Sequence, residues 1–354
     1  MGKGGRFFLV TARGLMLLAG SGLVLSYLSL LVNPAGFWFL TIFGLLYLPF
    51  LALNFFLLFW ALIRHSKAFW IPLVALVPSV FVLGWHVQAG GSAAEISDDD
   101  VRIVSYNVGL FRLGEEADDD SRDSVFAYLD ASGADIICLQ EVAFKDAAEL
   151  ERTLRGGFPA YDLEYYVRTG GPSVFGNVIL SRFPALEKGR VSFEESSNMA
   201  LYADYYIDGM KVRVYNCHFQ SYNISLSGIG RALRRGASDA LKDTERKMSF
   251  SLSLRPRQVD AVMRNIESCS LPSIVAGDFN DTPMSYTYRR LRRDRTDTFV
   301  AAGEGFGASY SILRPFLRID YVLLPGGFEA VTHKVRSDLH YSDHFPVEAS
   351  FHKL

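Results

Sequence analysis

The first 94 of the 354 residues contain no aspartate and no glutamate. All 38 acidic side chains lie from Glu95 onward, with 31 of the 36 lysines and arginines, so the formal charge is near +5 before that point and −7 after it. Two physical regimes share one chain. Cysteine is scarce as well. Cys138, Cys217 and Cys269 are an odd number with no metal-ligand spacing. No disulfide framework or cysteine-rich metal site can be read from them, which leaves thiols acting as small apolar side chains. A fixed-period repeat is also missing.

The acid-free region (1–88) reads as three membrane spans. Leu15–Val32 is uncharged and long enough to cross a hydrocarbon core of roughly 30 Å as helix, and Asn33-Pro34-Ala35-Gly36 ends it. Phe37–Ile63 is over-long and holds Pro49 and Asn54, which predicts tilt or a kink. Phe69–Val87 carries Trp70 and Trp85 near its ends, as interfacial aromatics do. A cleaved signal peptide fits less well, because the first run is too long and no small-residue cleavage site follows. Lys3, Arg6 and Arg13 precede the first span, while Arg64 and Lys67 follow the second. The positive-inside rule then places the N-terminus in the cytoplasm and everything after the third span on the extracytoplasmic side, a multi-pass topology. Residues 89–100, rich in Gly, Ser and Asp, read as a linker.

From Val101 to Leu354 strands dominate. Apolar or β-branched runs occur at Val101–Asn107, Asp135–Glu141, Ala160–Tyr166, Val174–Leu180, Ala200–Ile207, Val212–Phe219, Ser273–Ala276, Ile319–Leu324 and Val347–Phe351. Helical segments are expected near 118–131, 147–154 and 257–267. Asp208-Gly209 between two strands is a hairpin signal, and hairpins mean antiparallel pairing. An α/β sandwich of two sheets, with helices outside, suits this pattern better than a doubly wound parallel sheet.

Several strands end in a polar residue able to handle metal or phosphate: Asn107, Glu141, His218, Asp278 with Asn280, and Asp320, joined by Asp343-His344. Singly each has an ordinary reading. Asn107 could cap a turn, Glu141 could be the first solvated residue after its strand, and Asp278-Phe279-Asn280 could be an Asx turn. Asp320 is harder to dismiss, since a buried carboxylate is expensive unless paired. Polar side chains at strand ends can converge on one rim of a sheet pair, and it is their joint pattern that points to chemistry.

Five motifs carry a resemblance: Leu139-Gln140-Glu141, Gly176-Asn177 with Leu180-Ser181-Arg182-Phe183-Pro184, Gly277-Asp278-Phe279-Asn280, Arg318-Ile319-Asp320-Tyr321 and Ser342-Asp343-His344-Phe345-Pro346. In this order the chain resembles the endonuclease/exonuclease/phosphatase superfamily over about Val101–His352. The resemblance implies a deoxyribonuclease I-like sandwich and metal-dependent phosphoester hydrolysis, with Mg²⁺, or Mn²⁺, as cofactor. It implies that Glu141 binds the metal, with Asn107 and Asp343 there directly or through water. Asp278 would orient or deprotonate the attacking water. Asn280 and His218 would donate to phosphate oxygens, with Asn177 a further substrate contact. His344 would polarise the phosphate or serve as acid/base, with Asp320 fixing its tautomer. Whether Asp278 or His344 takes the proton stays open.

The substrate expectation is a phosphodiester or phosphomonoester, and a membrane-lipid headgroup in preference to nucleic acid. A balance of −7 suits phosphate-backbone binding poorly, and DNA-contacting loops have no evident counterpart. His218-Phe219-Gln220-Ser221 resembles sphingomyelinase-like members more than inositol phosphatases. A tethered extracytoplasmic nuclease and a non-catalytic module are the alternatives, and no protein partner is inferable. Tyr222–Leu254 interleaves Arg231, Arg234, Arg235, Lys242, Arg246 and Lys247 with apolar residues. That pattern fits either an interfacial helix or a solvated insertion. Arg289-Arg290-Leu291-Arg292-Arg293 is a second basic cluster.

Overall fold

The computed structural model describes residues 3–90, 96–112, 119–194, 196–222, 238–312 and 314–354. Its contacts divide the chain into a helical unit (Met1–His86, Asn223–Pro256, Asp281–Arg289) and a sandwich unit (Val87–Tyr222, Arg257–Asn280, Arg290–Leu354). Arg231, Arg234 and Arg235 lie outside the described residues.

In the helical unit, Lys3–Leu28 is one continuous helix, and its stretch Val10–Leu28 is long and apolar enough to cross a membrane. Lys67–Trp85 also qualifies, as does the pair Phe39–Leu45 and Tyr47–Ile63 if these two helices, bent by 62° at Leu46, count as one span. The expected kink falls at Leu46 because of Pro49. Its ring would collide with the Leu45 carbonyl in a continuous helix, whereas in the first turn of a new helix its missing N–H loses nothing. Val80 and Phe81 are each 78% exposed, which suits side chains that face lipid rather than water.

One cluster in this unit contains a residue from far along the chain. Met284 is fully buried among Leu23, Leu30, Tyr47, Leu51, Leu76 and Val82. Its carbonyl accepts from Ser29 Oγ. Gly44 makes the approach possible, since a Cβ there would lie 2.3 Å from that carbonyl oxygen. The Trp85 and Tyr288 rings lie 5.9 Å apart, tilted by 57°, and Arg255 pairs with Asp281 at 2.9 Å with both side chains buried. A buried pair of this kind is strongly destabilised by losing one partner.

The sandwich unit holds twelve strands among its described residues: β1 (Val101–Asn107), β2 (Ile136–Phe144), β3 (Asp162–Gly170), β4 (Ser173–Ser181), β5 (Glu187–Ser192), β6 (Met199–Ile207), β7 (Met210–His218), β8 (Ser273–Asp278), β9 (Arg295–Asp297), β10 (Asp320–Pro325), β11 (Phe328–Val335) and β12 (Val347–Lys353). They form two mixed six-stranded sheets, ordered β11-β12-β1-β2-β4-β3 and β5-β6-β7-β8-β10-β9. The expected α/β sandwich is present.

Strand alternation builds two cores. Ile103, Cys138, Ile179, Val214, Ala276, Val322 and Ala349 meet between the sheets. The opposite faces of β1, β2 and β4 pack with Val125, Leu129, Leu150 and Leu154 from the outer helices Asp119–Ala131 and Ala147–Gly157. Cys138 and Cys217 are buried free thiols, as expected, and burial raises both pKa values. The linker is pinned at both ends. Gln88 exchanges backbone hydrogen bonds with Gly305, and buried Asp100 accepts from Ser97 N and faces His352 Nδ1 at 3.0 Å.

The helix predicted at 257–267 is the end of a longer one, Ser238–Glu267, with Pro256 inside it. That proline sits where the chain passes from the helical to the sandwich unit.

Candidate active site

The period of two along each strand decides which polar residues can meet. On β1 the inward positions are Val101, Ile103, Ser105 and Asn107; on β8 they are Ile274, Ala276 and Asp278. On β7 the series Val212, Val214, Asn216 ends at His218, and on β10 Asp320 shares a face with Val322 and Leu324. Asn107, His218, Asp278 and Asp320 therefore arrive as last or first inward residues at one end of the sandwich.

Glu141 breaks this parity, and a bulge corrects it. Leu139 pairs with Val178 and Val142 with Gly176, so Gln140 and Glu141 together oppose Asn177. Glu141 takes a left-handed backbone, φ 53°, rare for a non-glycine residue, and its carboxylate turns toward Asn107 and His218.

The cluster is closely knit. Asp278 is fully buried. Its Oδ2 accepts from Asn107 Nδ2 and Asn280 Nδ2, both at 3.0 Å, and its Oδ1 from the Asn280 N–H at 2.7 Å. Asn107 Nδ2 also reaches Glu141 Oε1 at 3.3 Å. His218 Nε2 lies 3.3 Å from Glu141 and 3.8 Å from Asp278. His344 Nδ1 faces Asp320 Oδ2 at 2.9 Å, and its Nε2 is 3.7 Å from Asp278. Ser342 Oγ bonds the Asn107 carbonyl and the carboxylate of exposed Asp343.

Burial pushes the Asp278 carboxyl up to about 6, with His344 pulling the other way and Asp320 adding to the rise. For His344 burial acts downward, but Asp320 and Asp278 outweigh it and lift the imidazole to about 10. Near neutrality the site thus holds a largely ionised buried carboxylate beside an imidazolium.

Two sets of groups could hold a divalent ion. Asp278, Asp320 and His344 offer atoms within 4.8 Å of one another. In that set His344 Nδ1 and Asp320 Oδ2 are already turned toward each other at 2.9 Å. Glu141, one-third exposed, and Asp343, exposed, suit a hard ion that keeps its waters. Asn107 links them, with its amide nitrogen on Glu141 and its carbonyl on Ser342. Its own Oδ1 accepts from Gly109 N. In this arrangement Asn107 orients the carboxylates as a donor.

Asn177 stands elsewhere. It is fully buried under the site, and its Nδ2 points to the carbonyls of Met199 and Asn216 at 3.4 Å. A side chain held there forms part of the floor between the two sheets. Asn216 is the floor's hub, unnoticed in sequence although it stands two residues before His218. Its Nδ2 bonds Leu139 O and Val178 O across the sandwich at 2.8 Å, and its Oδ1 accepts from Gln140. Tyr310 was also missed: its ring lies 4.8 Å from that of His344, and it comes from a Gly-rich loop with no periodicity to mark it. The basic cluster is partly paired, through Arg290 with Asp260 and Arg293 with Asp294.

Gly277 sets the approach to Asp278. Its φ is 132°, and a Cβ there would fall 1.9 Å from the Cys217 carbonyl oxygen on β7. Gly277→Ala is expected to cost roughly 2–4 kcal/mol, as special-backbone substitutions do. A clear drop in melting temperature relative to wild type would register it, and an unchanged melt would show that the two strands can separate locally.

Comparison with known proteins bears on the fold. Residues 104–344 match the Endonuclease/Exonuclease/phosphatase family profile, and residues 6–85 match a domain of unknown function (DUF8431). No curated protein sequence matches. Among solved structures, an endonuclease/exonuclease/phosphatase from Beutenbergia cavernae is 19% identical, with TM-score 0.51 over 72% of each chain. The human Nocturnin catalytic domain is 14% identical, with TM-score 0.53 over 72% of this chain and 94% of its own. D. rerio TDP2 complexed with a single-strand DNA product is 18% identical, with TM-score 0.53 over 72% of this chain and all of its own. At these identities the likeness shows the fold.

Proposed function

Because the chain belongs to the endonuclease/exonuclease/phosphatase family, whose members hydrolyse phosphoester bonds and generally use divalent metals, we propose that it is a Mg²⁺-dependent hydrolase of a phosphate ester presented at a membrane surface, a lipid headgroup before a nucleic acid. The observation that carries the membrane part is the short chain between Asn280 and Met284. Only three residues separate them, and Met284 is buried among apolar helices able to cross a bilayer. A leash this short confers a high effective concentration for headgroups and little advantage toward a soluble polymer.

Asp278 is the better base of the two candidates. It is the group whose carboxyl rests near 6, within reach of the pH at which it must accept a proton. His344, held as a cation by Asp320, would place positive charge against the phosphate and return a proton to the leaving oxygen. Glu141 and Asp343 would hold the metal, which supplies charge neutralisation for the phosphate oxygens. His218 and Asn280 would donate to those oxygens, although Asn280 Nδ2 also bonds the Phe219 carbonyl at 3.0 Å.

The test is a substrate panel: phospholipids in nanodiscs, nucleotides, single-strand DNA and inositol phosphates, each with Mg²⁺ or chelator. Hydrolysis of a phospholipid above all others supports the reading. Preference for DNA would replace it with a tethered nuclease, the reading that the likeness to TDP2 favours. No turnover of any substrate would leave the non-catalytic module.

The orientation has its own check. Reporter fusions after Ser66 are expected to read cytoplasmic and fusions after Ser97 extracytoplasmic, because Lys3, Arg6, Arg13, Arg64 and Lys67 all fall on one side of three spans. Cytoplasmic signal at both would reduce the spans to an even number.

A further inference from the structure

The loop between the helix Thr298–Ala302 and β10 carries Tyr310, and its backbone is tied on two sides. Ser309 N and Tyr310 N both donate to Leu317 O, at 3.1 and 3.3 Å, so the ends of the segment 310–316 are drawn together. On the other side Tyr310 bridges His344, Ser311 N donates to Asp343 O at 2.8 Å, and Phe345 N donates to Ser309 O at 2.7 Å. A short surface loop with closed ends is compact, and such loops are frequently functional. This one is fastened to the backbone of two candidate-site residues, Asp343 and His344.

Its outer side chains are apolar. Phe306 is 42% exposed, Ile312 44% and Phe316 43%, and Arg314 is exposed between the last two. Among its described residues the sandwich unit exposes seven large apolar side chains: these three with Ile96, Leu186, Tyr206 and Leu354. Exposed apolar residues scattered singly need no explanation, but three of the seven fall on one loop beside the site. The Arg314 guanidinium lies over the Phe345 ring, 5.0 Å from its centroid. Apolar side chains interleaved with a cation are what a segment at the headgroup boundary of a bilayer carries, the cation being drawn to anionic lipid.

The connectivity of the chain says which surface is near. Gly305, the residue before Phe306, exchanges both backbone hydrogen bonds with Gln88, at 2.9 and 3.0 Å. Gln88 stands three residues after Trp85, the end of an apolar helix long enough to cross a membrane. Three residues reach no more than about 11 Å, so the start of the loop is leashed to the end of that helix. We propose that Phe306, Ile312 and Phe316 dip into the bilayer interface, and that the partner of this face is the lipid surface itself. The anchoring depends on the membrane reading of the apolar helices, and not on which ester the site cleaves. A lipid gathered there would present its headgroup beside His344 without leaving the bilayer.

The test places a nitroxide label at Ile312→Cys or Phe316→Cys of the full chain, in nanodiscs of phosphatidylcholine and phosphatidylglycerol. Each variant also carries Cys269→Ser, while Cys138 and Cys217 are buried and stay unlabelled. A label at Tyr206→Cys is the reference. Tyr206 is 59% exposed, but it lies seven residues along β6 from Met199, the partner of His218, or about 23 Å of strand. The labels at Ile312 and Phe316 are expected to collide several-fold more with oxygen, which concentrates in lipid, than with a water-soluble nickel chelate. The Tyr206 label should show the reverse. Nickel accessibility equal to that of the Tyr206 label at both loop positions would overturn the proposal. Protection from both reagents would overturn it as well, since a protein partner would then cover the face. The replaced side chains are exposed, so folding is not at stake, and melting of each variant checks it. No turnover is needed for this measurement, so a failed substrate panel leaves it standing, and labels found in water leave the panel's answer intact.

Discussion

Asp278→Asn is expected to lower turnover by roughly 10²–10⁴-fold with little change in KM, the usual range for loss of a general base. The carboxylate is fully buried and accepts three hydrogen bonds, from Asn107 and twice from Asn280. An asparagine keeps the shape, but its NH₂ must face at least one of those donors, so a loss of about 1–3 kcal/mol in stability should accompany the kinetic loss. Melting the variant separates the two effects. If the protein folds and retains turnover within a few fold of wild type, Asp278 is not the base. Asp320→Asn gives a contrasting result. Removing that carboxylate takes away the largest force raising the His344 pKa from its ordinary 6.5 to about 10, so an alkaline limb set by His344 must move to lower pH. Loss of rate without movement of that limb would leave Asp320 only a structural role.

Metal removal should be as damaging. Turnover is expected to fall to background with chelator and to return with Mg²⁺ or Mn²⁺, and Glu141→Gln should raise the metal concentration needed by roughly 10–100-fold. Glu141 is the carboxylate that the β2 bulge turns inward and leaves one-third exposed, where a hydrated ion can reach it. The substitution also weakens the attraction on His218, 3.3 Å away, so the metal titration is best followed by direct binding alongside activity. An unchanged metal requirement in a folded Glu141→Gln protein would move the ion to the Asp278, Asp320 and His344 group.

Much of the candidate site's placement could be read from sequence because strand parity is local. Asn107, His218, Asp278 and Asp320 each end an apolar alternation that one segment displays by itself. What parity cannot show is a bulge, and Glu141 by simple alternation would have pointed outward. Asn177 shows the converse limit. Its motif was legible, but its burial depends on Met199 and Asn216 from the other sheet. The missed strands are edges. Glu187–Ser192 is charged and exposed along most of its length, and the alternation of Phe328–Val335 is broken by a register shift between Ala330 and Thr332. Edge strands carry polar residues for reasons unrelated to a core, so their pattern is weak. The bend at Leu46 was half legible: the proline was visible, but not whether the helix would kink or restart. Membership of Asp281–Arg289 in the helical unit had no sequence signal, because Met284 follows the Asp278 motif and looks like any loop residue.

The place of Met284 has a consequence for how the protein is made. Its apolar neighbours Leu30, Tyr47 and Val82 are all synthesised before residue 86, while Met284 follows roughly 200 residues after Trp85. At the ~5–20 residues per second of translation, that is a wait of roughly 10–40 s. Until then the bundle lacks one of its own core side chains, and Arg255 and Asp281 have not met. The apolar helices are made first and are completed late, by a segment that emerges just after β8. Ribosomes halted before that point would leave the bundle unfinished, and the candidate site, which still needs Asp320, Asp343 and His344, is completed later again.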